Sequence, residues 1–157
     1  MVSFTPEQRL ERAFYRAASV LRSIWEEDGR SYDTRILDEP LIPSGYVTVG
    51  ESVQGTERRE HVVPRDVICR ECLKMFARHE PLEEVAKFIR EHLKIVRISL
   101  EEKNRLDNSA ELNLRQRMPL GWKVGDRVFA RLDIAGITFR EVVPKKPLHA
   151  TREDASA

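Results

Sequence analysis

No stretch of this chain approaches the roughly 18 consecutive apolar residues of a membrane-crossing helix, so none of it is expected to cross a bilayer. The opening Met-Val-Ser-Phe-Thr-Pro-Glu lacks a basic patch followed by an apolar run, the pattern of a secretory signal, and a cytoplasmic protein is expected. Cysteine is scarce: Cys69 and Cys72 alone do not make a disulfide framework. A charge excess is missing too, with 27 Lys and Arg against 26 Asp and Glu for a net +1. Long-range attraction to nucleic acid is therefore weak, and any phosphate binding must come from local clustering of charge. What is present is 157 residues, 41% hydrophobic and 34% charged, enough for one soluble domain and too apolar for a disordered chain. No internal repeat is evident.

The sequence opens with a helix signal. Thr5 can cap it, Pro6 suits the first helical position, and Gln8 stands three residues after the cap. Leu10, Ala13, Phe14, Ala17, Ala18, Leu21, Ile24 and Trp25 then recur at helical spacing until Gly29, predicting one long amphipathic helix over 5–29. Its apolar stripe is expected to face the core or a second copy, giving a homodimer through this helix. Residues 31–55 are broken by Pro40, Pro43, Gly45, Gly50 and Gly55, with one β-prone island at Tyr46 to Val49. Arg58 to Val63 can be extended. Helices are expected from an Asp66 cap and from Pro81, a strand from Lys94 to Ile98, and a helix from the Ser99–Glu102 capping box to about Asn108. Asp126 is expected to cap a short helix ended by Gly136, before a last strand from Ile137. The stretch 144–157 is expected to be a flexible tail.

Glu60-His61-Val62-Val63-Pro64 is the stretch with the most chemistry in it. A carboxylate next to a histidine at a strand end places unlike groups on oppositely directed positions. Glu60 can offer oxygen to a hard divalent cation, and His61 can stay free to deprotonate water. Hydrolysis of a phosphodiester uses both, because a cation stabilises developing charge and a base near neutral pH activates the attacking water. Pro64 stiffens the exit of the strand.

Glu-His-x-x-Pro, followed by a strand and a further helix, resembles the HNH, or ββα-metal, nucleases. It is also similar to a group of uncharacterised bacterial and phage proteins with Glu-His-Val-Val-Pro, a distal Leu-Asn, Leu-Arg-x-x-Met-Pro, a Trp, and Ala-Arg-x-x-x-Ala-Gly-Ile. Here these are Glu60 to Pro64, Leu106-Asp107-Asn108, Leu114 to Pro119, Trp122, and Ala130 to Ile137. The likeness covers about half of the chain. It implies an α+β fold: an HNH-like core over 57–137 with a helical insertion between its two strands, in one domain over 1–157 that also carries the N-terminal helix. It further implies His61 as the catalytic base, Glu60 with Asp107 or Asn108 as ligands of Mg²⁺ or Mn²⁺, and DNA as substrate. Where the group has Leu-Asn, this chain has Leu106-Asp107 with Asn108 next, and a one-residue step on a helix turns a side chain by about 100°. Only one of the two can face Glu60.

Around that corner, Arg59 and Arg65, and farther on Arg115 and Arg117, are candidates for gripping phosphate, within a basic stretch that also includes Lys123, Arg127 and Arg131. Cys69, Cys72 and His79 have partial zinc spacing but no second pair, so buried thiols and no zinc are expected. Met118, Pro119 and Trp122 read as a packing lid. Two functions follow: a divalent-metal-dependent HNH-type endonuclease acting on DNA, or a non-cutting HNH-like scaffold from a phage or other mobile element. The second would bind a host defence protein complex, as an anti-CRISPR protein does.

Overall fold

The computed structural model describes residues 2–30, 32–108 and 112–147. Helix α1 (Pro6–Asp28) starts where the capping box predicts. Gln8 N–H donates to the Thr5 hydroxyl at 3.2 Å, and the Gln8 side chain accepts from Thr5 N–H at 2.9 Å. Gly29 closes the helix at φ 74, a left-handed conformation that costs glycine nothing. The predicted stripe is buried from Leu10 to Leu21, and α1 packs on α3 (Leu82–His92) and on α2 (Arg65–Ala77). Its apolar face is thus covered within one copy of the chain.

Four strands form a mixed sheet in the order β2 (Arg58–His61), β3 (Ile95–Ile98), β1 (Thr48–Ser52), β4 (Phe139–Glu141). β2 runs antiparallel to β3, with Glu60 opposite Val96 and His61 opposite Ile95. β1 is parallel to β3 and antiparallel to β4. The two helices α2 and α3 fill the connection between β2 and β3. After β3 the Ser99–Glu102 capping box, reciprocal at 2.9 and 3.1 Å, starts α4 (Leu100–Asn108), which packs on β2. The result is an α+β protein with its core between the sheet, α1, α2 and α3.

Three local expectations shift. Asp66 lies in the first turn of α2, after Pro64, and takes the Tyr32 hydroxyl and Arg70 as partners. Asp126 accepts from Lys123 N–H at 2.9 Å instead of capping a helix, so α5 (Ala130–Ile134) begins four residues later. The last strand starts at Phe139, two residues beyond Ile137. At the end of the chain, Lys145 N–H donates to Gly45 O at 2.9 Å and Pro147 is buried; the rest of the expected tail lies outside the described residues.

Candidate functional site

Glu60 lies on β2 against α4, where it is 5% exposed, and His61 follows it at the strand end and lines the same cleft. Both carboxylate oxygens of Glu60 are taken. Lys103 Nζ, from α4, lies 2.7 Å from Oε2, and Arg131 Nη2, from α5, lies 2.9 Å from Oε1. The Lys103 ammonium also reaches Asp107 Oδ1 at 3.2 Å, one helical turn along. Glu60 and Asp107 therefore converge on one point, and a protein cation stands there. Asn108, one position on, is exposed.

Arg131 is wholly buried and uses all three of its nitrogens. Besides Glu60, it donates to Leu114 O from Nε at 3.0 Å and from Nη2 at 2.6 Å. Nη1 donates to His61 O at 2.6 Å. One guanidinium thus ties the loop after α4 to the end of β2. Such a fork matches both a carboxylate and neighbouring carbonyls, a geometry that the single ammonium of lysine cannot supply.

His61 opens onto a cleft of about 520 Å³ lined by Arg59, Arg65, Arg115 and Gln116 as well as by Glu60, Lys103 and Arg131. Burial pushes its imidazole down to about 4, helped by Arg65, Arg131 and Arg59 and opposed by Asp38. The ring is neutral at neutral pH, with a lone pair free to accept a proton. Arg65 is held by Asp38 at 2.9 Å. Arg59 and Arg115 are exposed, and their guanidiniums have no ion-pair partner among the described residues.

The sequence-predicted residues thus separate. Glu60, His61, Arg59, Arg65 and Arg115 line one cleft, with Asp107 on Lys103; Arg117 lines a second groove, and Asn108 is exposed and lines neither. Of Arg127 and Arg131, expected in the same basic stretch, the first is exposed but committed to a carboxylate and the second is not on the surface. Arg127 pairs with Asp133 at 2.7 Å, and Arg131 is interior. Cys69 and Cys72 pack in the core, where burial pushes the Cys69 thiol up to about 12 and raises that of Cys72, while His79 is exposed.

Sequence reasoning did not single out Lys103 at all. Its one local signal is the i, i+4 spacing to Asp107, common on solvated helices. Among the described residues, no three His, Cys, Asp or Glu side chains gather as a metal-holding group. As the side chains stand, the donors do not fit Mg²⁺ or Mn²⁺, since Lys103 and Arg131 already neutralise Glu60 and would repel a further cation. Comparison with protein-family models, with curated proteins and with solved structures finds no match.

Proposed function

We propose that the His61 cleft receives a phosphodiester of nucleic acid, on an HNH-like ββα frame in which protein cations stand where a divalent ion would. β2, β3 and α4 follow the order strand, antiparallel strand, helix, and α4 brings Lys103 and Asp107 to Glu60. The observation that carries the reading is the pair Arg59 and Arg115, whose guanidiniums have no ion-pair partner among the described residues, at a cleft that also holds a neutral imidazole. Two such cations in a concave site suit a phosphate better than they suit a neutral ligand. His61 accepts a hydrogen bond from a sugar hydroxyl or from water beside the phosphate. Arg131 and Lys103 act one step back, holding Glu60 and, through Leu114 O and Arg115 O, the loop that carries Arg115.

A cutting reading keeps one observation in its favour, the shared approach of Glu60 and Asp107 to a single cationic point. One experiment separates the two. A fluorescein-labelled oligonucleotide is titrated with the protein at two salt concentrations, with and without EDTA, and supercoiled plasmid is incubated with Mg²⁺ or Mn²⁺. The binding reading expects salt-sensitive, EDTA-insensitive binding, at least tenfold weaker in Arg59→Glu/Arg115→Glu, and no nicking. Metal-dependent nicking that His61→Ala abolishes would restore the endonuclease. Absence of oligonucleotide binding even at low salt would leave an acidic protein surface, such as that of a host defence complex, as the ligand for the same cations.

A further inference from the structure

A second groove of about 630 Å³ is lined by the next residues of two segments that also line the His61 cleft. One wall is α2: Arg65 and Asp66 line the first cleft, and Val67, Arg70, Glu71 and Lys74 line the second. Asp66, Arg70 and Lys74 recur every four residues on one helix face, about 12 Å of wall at 1.5 Å per residue. The other wall is the segment after α4, where Arg115 and Gln116 face the first cleft and Arg117 and Lys123 face the second.

Charge is distributed unequally between these walls. Arg70 is paired with Asp66 at 2.9 Å and Lys74 with Glu71 at 2.7 Å, so the α2 wall is close to neutral. Arg115, Arg117 and Lys123 are exposed, and their side chains have no ion-pair partner among the described residues. Trp122, on the same segment, also lines the second groove and is half-buried against the core. Its indole N–H donates to Arg127 O at 3.0 Å, which fixes the ring in orientation, while Met118 beside it is buried. The segment has little regular structure but is anchored by Leu114 O and Arg115 O on Arg131.

Several cations without an ion-pair partner among the described residues, beside a half-buried indole, are the combination that holds a strand by its phosphates and stacks one of its bases. An intact duplex hides its base faces and cannot use the indole. We infer that the two grooves form one track for a single-stranded polynucleotide, with Arg117 and Lys123 contacting phosphates beyond those met by Arg59 and Arg115, and with Trp122 stacking on a base. This rests on the phosphodiester reading of the His61 cleft and extends it to a substrate class.

The chain holds two tryptophans, Trp25 and Trp122, so Trp25→Phe makes Trp122 the sole indole emitter. Titrating that variant with a ten-residue oligothymidylate is expected to quench its emission, and a ten-base-pair duplex to bind at least tenfold more weakly. In the otherwise native chain, anisotropy should show Arg117→Glu/Lys123→Glu binding the oligothymidylate at least tenfold more weakly than wild type. Its log-log salt slope should be shallower by about 1.4, at about 0.7 per lost phosphate contact on a single strand. Circular dichroism checks that both variants are folded, and the anisotropy arm stands without Trp25→Phe.

Binding that Arg59→Glu/Arg115→Glu weakens, but that Arg117→Glu/Lys123→Glu leaves intact and that does not quench Trp122, overturns the track and spares the cleft. Equal binding of duplex and single strand overturns the strand assignment. Indifference to both variant pairs overturns both readings.

Discussion

Two glutamates of this sheet, Glu51 on β1 and Glu60 on β2, are each flanked by two basic side chains, and they behave as different kinds of object. Glu51 meets Arg140 at 2.6 Å and Arg97 at 3.9 Å, with those arginine side chains 72% and 48% exposed. Glu60 meets Arg131 and Lys103 at 2.9 and 2.7 Å, with Arg131 fully enclosed. Water competes for every charge around Glu51, so the pairs there are optional. Glu60 is 5% exposed, so its carboxylate has lost most of its water and relies on its two partners for compensation. The difference explains the division of labour in the cleft. Arg131 and Lys103 are bound to an internal charge, which leaves Arg59 and Arg115 to meet a ligand.

The largest effect should come from Arg131→Ala. It leaves the buried Glu60 carboxylate with Lys103 as its one remaining partner and removes the donor from the carbonyls of Leu114 and His61. Breaking one partner of a buried pair costs about 3–5 kcal/mol. Urea unfolding followed by circular dichroism should show that loss, and adding Glu60→Gln should recover part of it, because the two substitutions share one interaction. A cost below about 1 kcal/mol would erase the contrast between the two glutamates.

The next effect is a pH dependence at the neighbouring residue. An unfolded His61 titrates near 6.5, the folded one near 4. Between those values the unfolded chain holds more protons, so stability falls as pH drops from about 6.5 and levels off near 4. The loss between pH 7 and pH 5 should be about 2 kcal/mol in urea melts. His61→Gln should flatten it. An unchanged slope in that variant would mean that the β2 corner tolerates charge as readily as the β1 side does.

How much of this was legible in the sequence follows from the range of each interaction. The capping boxes at Thr5 and Ser99 are complete within four residues, and both formed as their spacing predicts. The adjacency of Glu60 and His61 at the end of β2 is likewise local. The partners of Glu60 are not: Lys103 lies 43 residues away and Arg131 lies 71. No periodicity marks either, and Arg131 in particular looks in sequence like one more cation in a basic surface stretch. β1 was legible only at its start, because Gly50 signals a break. In the sheet it is where the Phe139 ring of β4 closes in: a Cβ there would meet that ring at 2.5 Å. A glycine required for close approach and a glycine that ends a strand are the same letter. The finer match of β2, β3 and α4 to an HNH-like frame is part of the proposed function, since connection order alone does not carry chemistry.

The smallest effect sharpens the comparison most, because it is measured on the same sheet with the same charge removed. Glu51→Gln leaves a side chain of equal size that can still accept a hydrogen bond from Arg140. It removes only the coulombic part of two half-exposed contacts, about 0.5 kcal/mol or less. Because those arginines sit in water, even this difference should shrink in 1 M salt, where the screening length falls to about 3 Å. The Arg131→Ala loss should persist in the same salt, since Arg131 is itself fully enclosed and its contacts to Glu60 and to the Leu114 and His61 carbonyls are interior. Salt dependence, more than size, is therefore the sharper readout. If Glu51→Gln and Arg131→Ala responded to salt alike, the enclosure of Glu60 could not be what commits Arg131 and Lys103 to the interior. The assignment of Arg59 and Arg115 as the cations left for a phosphate would lose its basis.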